Sequence, residues 1–201
     1  MNKFLVMAAL MLVSAVGYAQ APGGMKIQYA QANGSGCPAG SAFIDVSPDQ
    51  QVFTAIFSQF QASIGPNVNP VERNKYCAMV VNVTVPPGWQ YSVFKTRYEG
   101  WYDLERNVEL RQTSKYWFQG NSPITKTSTF RGPSAGTFNF EDQVGVTSWS
   151  PCGGTRNMII NANLVLSNSR ETSKSGIAGI DSIEGAVDLK YHYFIQYRQC
   201  Q

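Results

Sequence analysis

The sequence predicts an all-β protein, an antiparallel β-sandwich of about nine strands held by disulfides. Three observations lead there. Short segments with period-two alternation of apolar and polar residues recur along the chain, Gly, Pro, Asn and Ser cluster between them, and four cysteines follow an export signal. No long stretch keeps helical spacing, and 18 glycines and 10 prolines interrupt any helical run.

In chain order, Lys3 precedes an apolar or small run from Phe4 to Val16. Gly17-Tyr18-Ala19 then places small residues at −3 and −1 of a cleavage site, so residues 1–19 read as a secretory signal peptide. The run is shorter than the roughly 20 residues a membrane span needs and ends without a stop-transfer charge cluster. No cysteine follows the cut to carry a lipid anchor, and no later segment is apolar enough to span a bilayer. The mature chain is then 182 residues (201 less 19). Residues 20–36, rich in Gly, Gln and Ala, read as a flexible N-terminal leader, and residues 37–201 as a single β-sandwich domain. A chain of this size buries roughly 70% of its unfolded surface without depending on cross-links.

Strand candidates follow at 41–46, 51–58, 79–85, 89–104, 108–118, 124–130, 137–146, 158–167 and 185–200. In "MVVNVTV" the run stops at Pro86-Pro87-Gly88. "VELRQTSKYWF" sets Val108, Leu110, Tyr116 and Phe118 against Glu109, Arg111, Lys115 and Trp117. "MIINANLVLS" sets Met158, Ile160, Ala162, Leu164 and Leu166 against Ile159, Asn161, Asn163 and Val165. In "GAVDLKYHYFIQYRQC", Val187, Leu189, Tyr191, Tyr193, Ile195 and Tyr197 share one side, and Asp188, Lys190, His192, Gln196 and Arg198 the other. Residues 167–179, "SNSRETSKSGIAG", read as a mobile loop.

Cys37, Cys77, Cys152 and Cys200 are an even set in an oxidising compartment and read as two disulfides. A zinc site lacks both a C-x-x-C pair and a second histidine. Of the three connectivities, loop closure favours the shorter loops, Cys37 with Cys77 and Cys152 with Cys200. The formal charge is +3 for the whole chain, with both signs scattered along it. Nothing resembles a basic stripe, which argues against nucleic acid and anionic membrane as partners.

Catalysis finds little support. His192 is the single histidine, and its strand alternation places it among Lys190, Gln196 and Arg198; no G-x-S-x-G elbow occurs. Ser92-Val93-Phe94-Lys95 fits S-x-x-K, but alternation on a strand sends Ser92 and Lys95 to opposite faces. Asp103, Glu105, Glu109, Glu141 and Asp142 could supply a glycosidase pair, and Asp181, Glu184 and Asp188 a calcium site, yet no spacing singles out either. The sequence therefore predicts a non-enzyme without metal or cofactor.

"SWSPCGGTR", 148–156, is locally similar to a thrombospondin type 1 repeat, but the six cysteines and serial tryptophans of that repeat are missing. A second resemblance spans nearly the whole mature chain. "NGSGCPAGS" (33–41), "VFTAIFSQFQASIGP" (52–66), "RNKYCAMVVNVTVPPGW" (73–89), "YEGWYDL" (98–104), "FRGPSAGTF" (130–138), "SWSPCGG" (148–154) and the terminal "YRQC" occur in this order. Together they resemble the secreted domain-of-unknown-function family 4360 of bacteria and filamentous fungi, with all four cysteines inside the matching motifs. The resemblance implies a secreted, cysteine-bonded β protein and no particular activity. Local chemistry explains the motifs: Gly153 and Gly154 follow Cys152 where positive φ is needed, Pro151 fixes the bend, Trp149 can cover a disulfide, and Gly132-Pro133 and Gly136 are turn residues.

Binding has a better residue-level argument. Trp117 falls on the polar side of its strand, and Trp89, Tyr91, Trp101 and Tyr102 lie in a neighbouring strand. An aromatic strip of these five residues would stack on sugar rings or a partner's apolar surface. The reading is a secreted, non-catalytic sandwich whose partner is a polysaccharide or cell-surface component in the periplasm, on the cell surface or in the medium. A structural protein of the envelope or extracellular matrix is the alternative, and a small hydrolase the third.

Overall fold

The computed structural model describes residues 21–23, 25–143, 149–180 and 190–200. The signal peptide, the candidate calcium ligands Asp181, Glu184 and Asp188, and Val187 and Leu189 lie outside them. Among the described residues twelve strands form two antiparallel sheets: β1 (Lys26–Asn33), β2 (Ala42–Val46), β3 (Val52–Phe57), β4 (Gln61–Ile64), β5 (Asn74–Val85), β6 (Trp89–Leu104), β7 (Glu109–Phe118), β8 (Ile124–Arg131), β9 (Ser134–Gln143), β10 (Gly154–Ser167), β11 (Gly176–Gly179) and β12 (Lys190–Gln199). A 3-10 turn, Pro70–Arg73, precedes β5.

The first sheet runs β1-β5-β10-β7-β8. The second is built around β6, whose one edge carries β9 while the other carries β12 and β11 end to end. β3 pairs with β12, β4 with β11, and β2 completes the far side.

The nine predicted strands are all present over their described residues, 144–146 and 185–189 lying outside these, and β1, β4 and β11 are additional. β4 and β11 are only four residues long, too short to show a period. β1 corrects the flexible leader: Lys26–Asn33 pairs along β5, and Met25 and Ile27 are buried in the core. A bulge between Tyr29 and Gln31 breaks its alternation, so composition outweighed pattern there. Gly136 is likewise no turn residue; it lies within β9 opposite Tyr102.

The core follows the predicted faces. Met79, Val81, Val83, Met158, Ile160, Leu164 and Leu110 of the five-stranded sheet meet Phe53, Ala55, Tyr91, Tyr98, Tyr191 and Tyr193 of the seven-stranded one. Such sheet-on-sheet burial of alternate residues is what makes a sandwich stable. Polar groups enter this core in a defined way: Gln112 Nε2 donates to Ser114 Oγ (2.8 Å) and to the Tyr191 hydroxyl (2.9 Å).

Both disulfides join as the loop argument predicts. Cys37–Cys77 is buried and ties the chain ahead of β2 to β5. Cys152–Cys200 joins the segment entering β10 to the end of β12, with Cys152 at the surface. Beside it Gly153 and Gly154 take φ of 65° and 76°, as the turn after Cys152 requires. The Arg198 guanidinium lies 4.0 Å from the Trp149 ring centre.

The segment after β10 is a second correction. It is pinned rather than mobile: the Asn168 side chain donates to the carbonyls of Thr172 and Lys174, Glu105 Oε2 accepts from the Ser175 amide, and Glu171 accepts from Asn107. Its polar composition resembles that of a loose loop, but those groups are spent on one another and on the turn between β6 and β7.

Candidate ligand-binding face

Trp117 projects from β7 onto the outer face of the five-stranded sheet because its neighbours Tyr116 and Phe118 take the inner positions. Cross-strand register sets what surrounds it. Trp117 lies opposite Ile159, Ile159 opposite Val80, and Val80 opposite Gln31, so an apolar row crosses the sheet. On one side runs Thr125–Lys115–Asn161–Ala78–Asn33. Beyond it runs Thr127–Thr113–Asn163–Tyr76, ending on a tyrosine that is 45% exposed. On the other side Asn157 lies opposite Asn82, and Asn82 opposite Gln28.

Some of the polar side chains on this face are paired with one another. Asn163 Nδ2 donates to Asn74 Oδ1 (3.0 Å), Asn157 Nδ2 to Gln119 Oε1 (3.3 Å), and the hydroxyls of Thr84 and Thr155 lie 2.7 Å apart. Gln119, Thr155, Arg156 and Asn157 line a shallow recess of about 330 Å³ next to the Trp117 row. Tyr76 and Trp117 are separated by two strand spacings and four residues along β7, roughly 17 Å by strand geometry.

The predicted five-residue strip does not form. Tyr91 is fully buried, and Trp89 and Tyr102 pack against the core. Trp101 lies on the outer face of the other sheet, opposite Gly179 and Thr137, so the sandwich separates it from Trp117. β6 and β7 are consecutive in the chain but belong to different sheets, which alone parts the four β6 residues from Trp117; within β6 a bulge at Phe94, where β12 runs from Phe194 opposite Lys95 to Ile195 opposite Val93, also parts Tyr91 from Trp101. The extra residue inverts every later position of β6. The same bulge puts Ser92 and Lys95 on one face, against the simple alternation, yet Lys95 is held by Glu141 at 3.4 Å and by the Phe194 ring at 4.1 Å. Tyr76 escaped the sequence reading although its alternation with Cys77, Met79 and Val81 marks it as outward.

The outer face of the seven-stranded sheet offers a different arrangement. Phe94 and Phe43 are exposed there. Lys95 covers the Phe194 ring, and Arg97 donates to Glu141 Oε2 (2.9 Å), a bond that holds the Glu141 carboxyl below its usual range. His192 Nδ1 lies 3.1 Å from Thr54 Oγ1, and burial pushes the imidazole pKa below its ordinary value. That spacing would suit a nucleophile and base, but Thr54 is only 9% exposed. Rings and charges on this face are largely engaged with each other; on the Trp117 face the amides and hydroxyls keep free valences.

The two motif-bearing ends of the chain thus converge on one disulfide-bonded sandwich. The family model of a domain of unknown function, DUF4360, matches residues 23–200. The chain belongs to this family. An uncharacterized secreted protein of Arthroderma benhamiae is 36% identical to this DUF4360 chain over 170 residues, 83% of the chain and 68% of the relative. That relative's secretion agrees with the two disulfides in placing the DUF4360 chain outside the cytoplasm. No helix among the described residues is long and apolar enough to cross a membrane.

Solved structures similar to the DUF4360 chain include TmCBM61 in complex with β-1,4-galactotriose, at 8% identity and a TM-score of 0.27 over 90% of this chain and 91% of that one. A family 11 carbohydrate-binding module from Clostridium thermocellum, in complex with a β-1,3-1,4-mixed-linked tetrasaccharide, gives 8% and 0.24 over 85% and 88%. The CBM22-1-GH10 modules of xylanase 10B from the same organism, with xylohexaose, give 7% and 0.29 over 67% and 24%. Likeness at these scores carries no argument about topology or ligand.

Proposed function

We propose that this protein is a non-catalytic binding module that holds a polysaccharide of a cell surface or its surroundings on the outer face of the five-stranded sheet. The observation that carries the reading is the placement of Trp117 and the exposed Tyr76 on one face, with Thr113, Asn161 and Asn163 between them. An aromatic ring stacks on the apolar C–H face of a sugar, and amides and hydroxyls supply both donors and acceptors for its hydroxyl groups. The bonds from Asn163 to Asn74 and from Asn157 to Gln119 hold these two amides ready, which lowers the ordering cost of binding.

A structural or interaction role is the second reading, favoured by the exposure of Phe43 (50%) and Phe94 (37%) on the opposite face. Affinity electrophoresis in gels containing a panel of wall and soluble polysaccharides separates the two. Retardation that Trp117→Ala abolishes and Phe94→Ala leaves intact supports the first reading. Free migration of the unsubstituted protein through every polysaccharide supports the second.

A further inference from the structure

Charges that look scattered along the chain are sorted by sheet. The strands of the five-stranded sheet carry seven cations, Lys26, Lys75, Arg111, Lys115, Lys126, Arg131 and Arg156, against the single carboxylate Glu109. The strands of the seven-stranded sheet carry four cations against five carboxylates. Lys75, Lys126 and Arg156 fall on the core-facing parity at strand ends or at the rim, leaving Lys26, Arg111, Lys115 and Arg131 on the outer face that holds Trp117. Glu109 accepts from Arg131 (3.0 Å) and lies 3.6 Å from Arg111. Among the described residues Lys26 and Lys115 meet no carboxylate, and Lys115 is exposed two residues from Trp117 on the same side of β7.

We propose that the polysaccharide bound on this face is an acidic one, with Lys115 pairing to a sugar carboxylate beside the sugar that stacks on Trp117. The inference rests on the glycan reading given above. Charge complementarity favours it, because a neutral glycan would have no use for a face nearly stripped of carboxylates while the opposite face keeps a balance. The charge density is too thin for nucleic acid, which presents a phosphate about every 1.7 Å of duplex and is met by dense basic patches. A uronate chain carries its charges one per sugar at most, matching a few cations spread among amides, hydroxyls and an indole.

The test compares two probes with one backbone, polygalacturonate and its fully methyl-esterified form, titrated against the mature protein and against Lys115→Gln, Trp117→Ala and Lys95→Gln. Lys95→Gln removes the same charge from the opposite face. The expected result is binding to the uronate, weakened severalfold by raising salt from 50 to 500 mM, weakened roughly two- to fivefold by Lys115→Gln, abolished by Trp117→Ala and unchanged by Lys95→Gln. Equal binding of the ester, unaffected by Lys115→Gln, would overturn the acidic specificity and leave the glycan reading standing. Uronate binding that Lys115→Gln and Lys95→Gln weaken alike, with Trp117→Ala neutral, is plain ion exchange and overturns the proposal. Binding to neither probe, with retention on a neutral polysaccharide of the panel, overturns it too; retention on none removes the glycan reading with it.

Discussion

The ring of Phe138 occupies the space where a side chain on Gly100 would stand: a Cβ built there would meet the phenyl carbons at van der Waals overlap. Phe138 then stacks on Phe130 (5.3 Å) and Phe140 (5.8 Å), and Phe130 meets Tyr102 at a tilt (4.7 Å), so one glycine admits an aromatic cluster between β6, β8 and β9. Gly100→Ala is expected to lower stability by about 1–3 kcal/mol, the usual cost of overpacking. Urea denaturation reads this as a lower midpoint at unchanged slope, and adding Phe138→Leu recovers part of it. An unchanged midpoint would mean the ring moves aside freely.

The two disulfides differ in access. Cys37 and Cys77 are each 1% exposed, whereas Cys152 lies at the surface. Mild reductant under native conditions is expected to open Cys152–Cys200 first, at a cost of about 4 kcal/mol on the chain-entropy model. Alkylation followed by peptide mass mapping would show labelled Cys152 and Cys200 with Cys37–Cys77 intact. Early labelling of Cys37 would contradict the burial argument.

Tyrosines in this core make stability fall in alkali. Burial pushes the Tyr98 hydroxyl up to about 12 and raises Tyr91, Tyr116, Tyr191, Tyr193 and Tyr197 as well. Above pH 10 the unfolded chain loses these protons while the folded one keeps them. The folded state then binds more protons, and stability drops as pH rises through the window from about 10 to 12 and beyond. Absorbance at 295 nm should show these buried tyrosines ionising only with loss of the folded circular dichroism. Smooth ionisation of all tyrosines before unfolding would refute this.

Two buried tyrosines should respond oppositely to loss of the hydroxyl. Tyr191 accepts from Gln112, so Tyr191→Phe leaves a buried amide proton without its acceptor and is expected to cost about 1–3 kcal/mol. The Tyr193 hydroxyl has no protein partner among the described residues, so Tyr193→Phe is expected to be neutral or stabilising. Thermal melts of the pair check the sign.

Much of this architecture was legible because alternation survives wherever a strand is long and unbroken, as in β7, β10 and the described part of β12. It failed where a short-range rule met a longer-range event. The four-residue strands β4 and β11 exist because β6 and its neighbours supply their partners, which no local pattern encodes. The expected strip dissolved because β6 and β7, consecutive in the chain, join different sheets, and one extra residue at Phe94 further separated Tyr91 from Trp101 on β6 itself. Trp117 kept its outward position because β7 has no such break. Its true companions, Tyr76 and the asparagines, come from strands remote in sequence, as does the sorting of charge between the sheets.

The binding face is read out by an amide chemical-shift map of the labelled protein titrated with whichever polysaccharide retards it. Perturbations are expected to centre on Tyr76, Thr113, Lys115, Trp117, Asn161 and Asn163, with residues around Phe43, Phe94 and Phe194 silent. Shifts clustered on Phe43, Phe94 and Phe194, with the Trp117 indole unmoved, would contradict it.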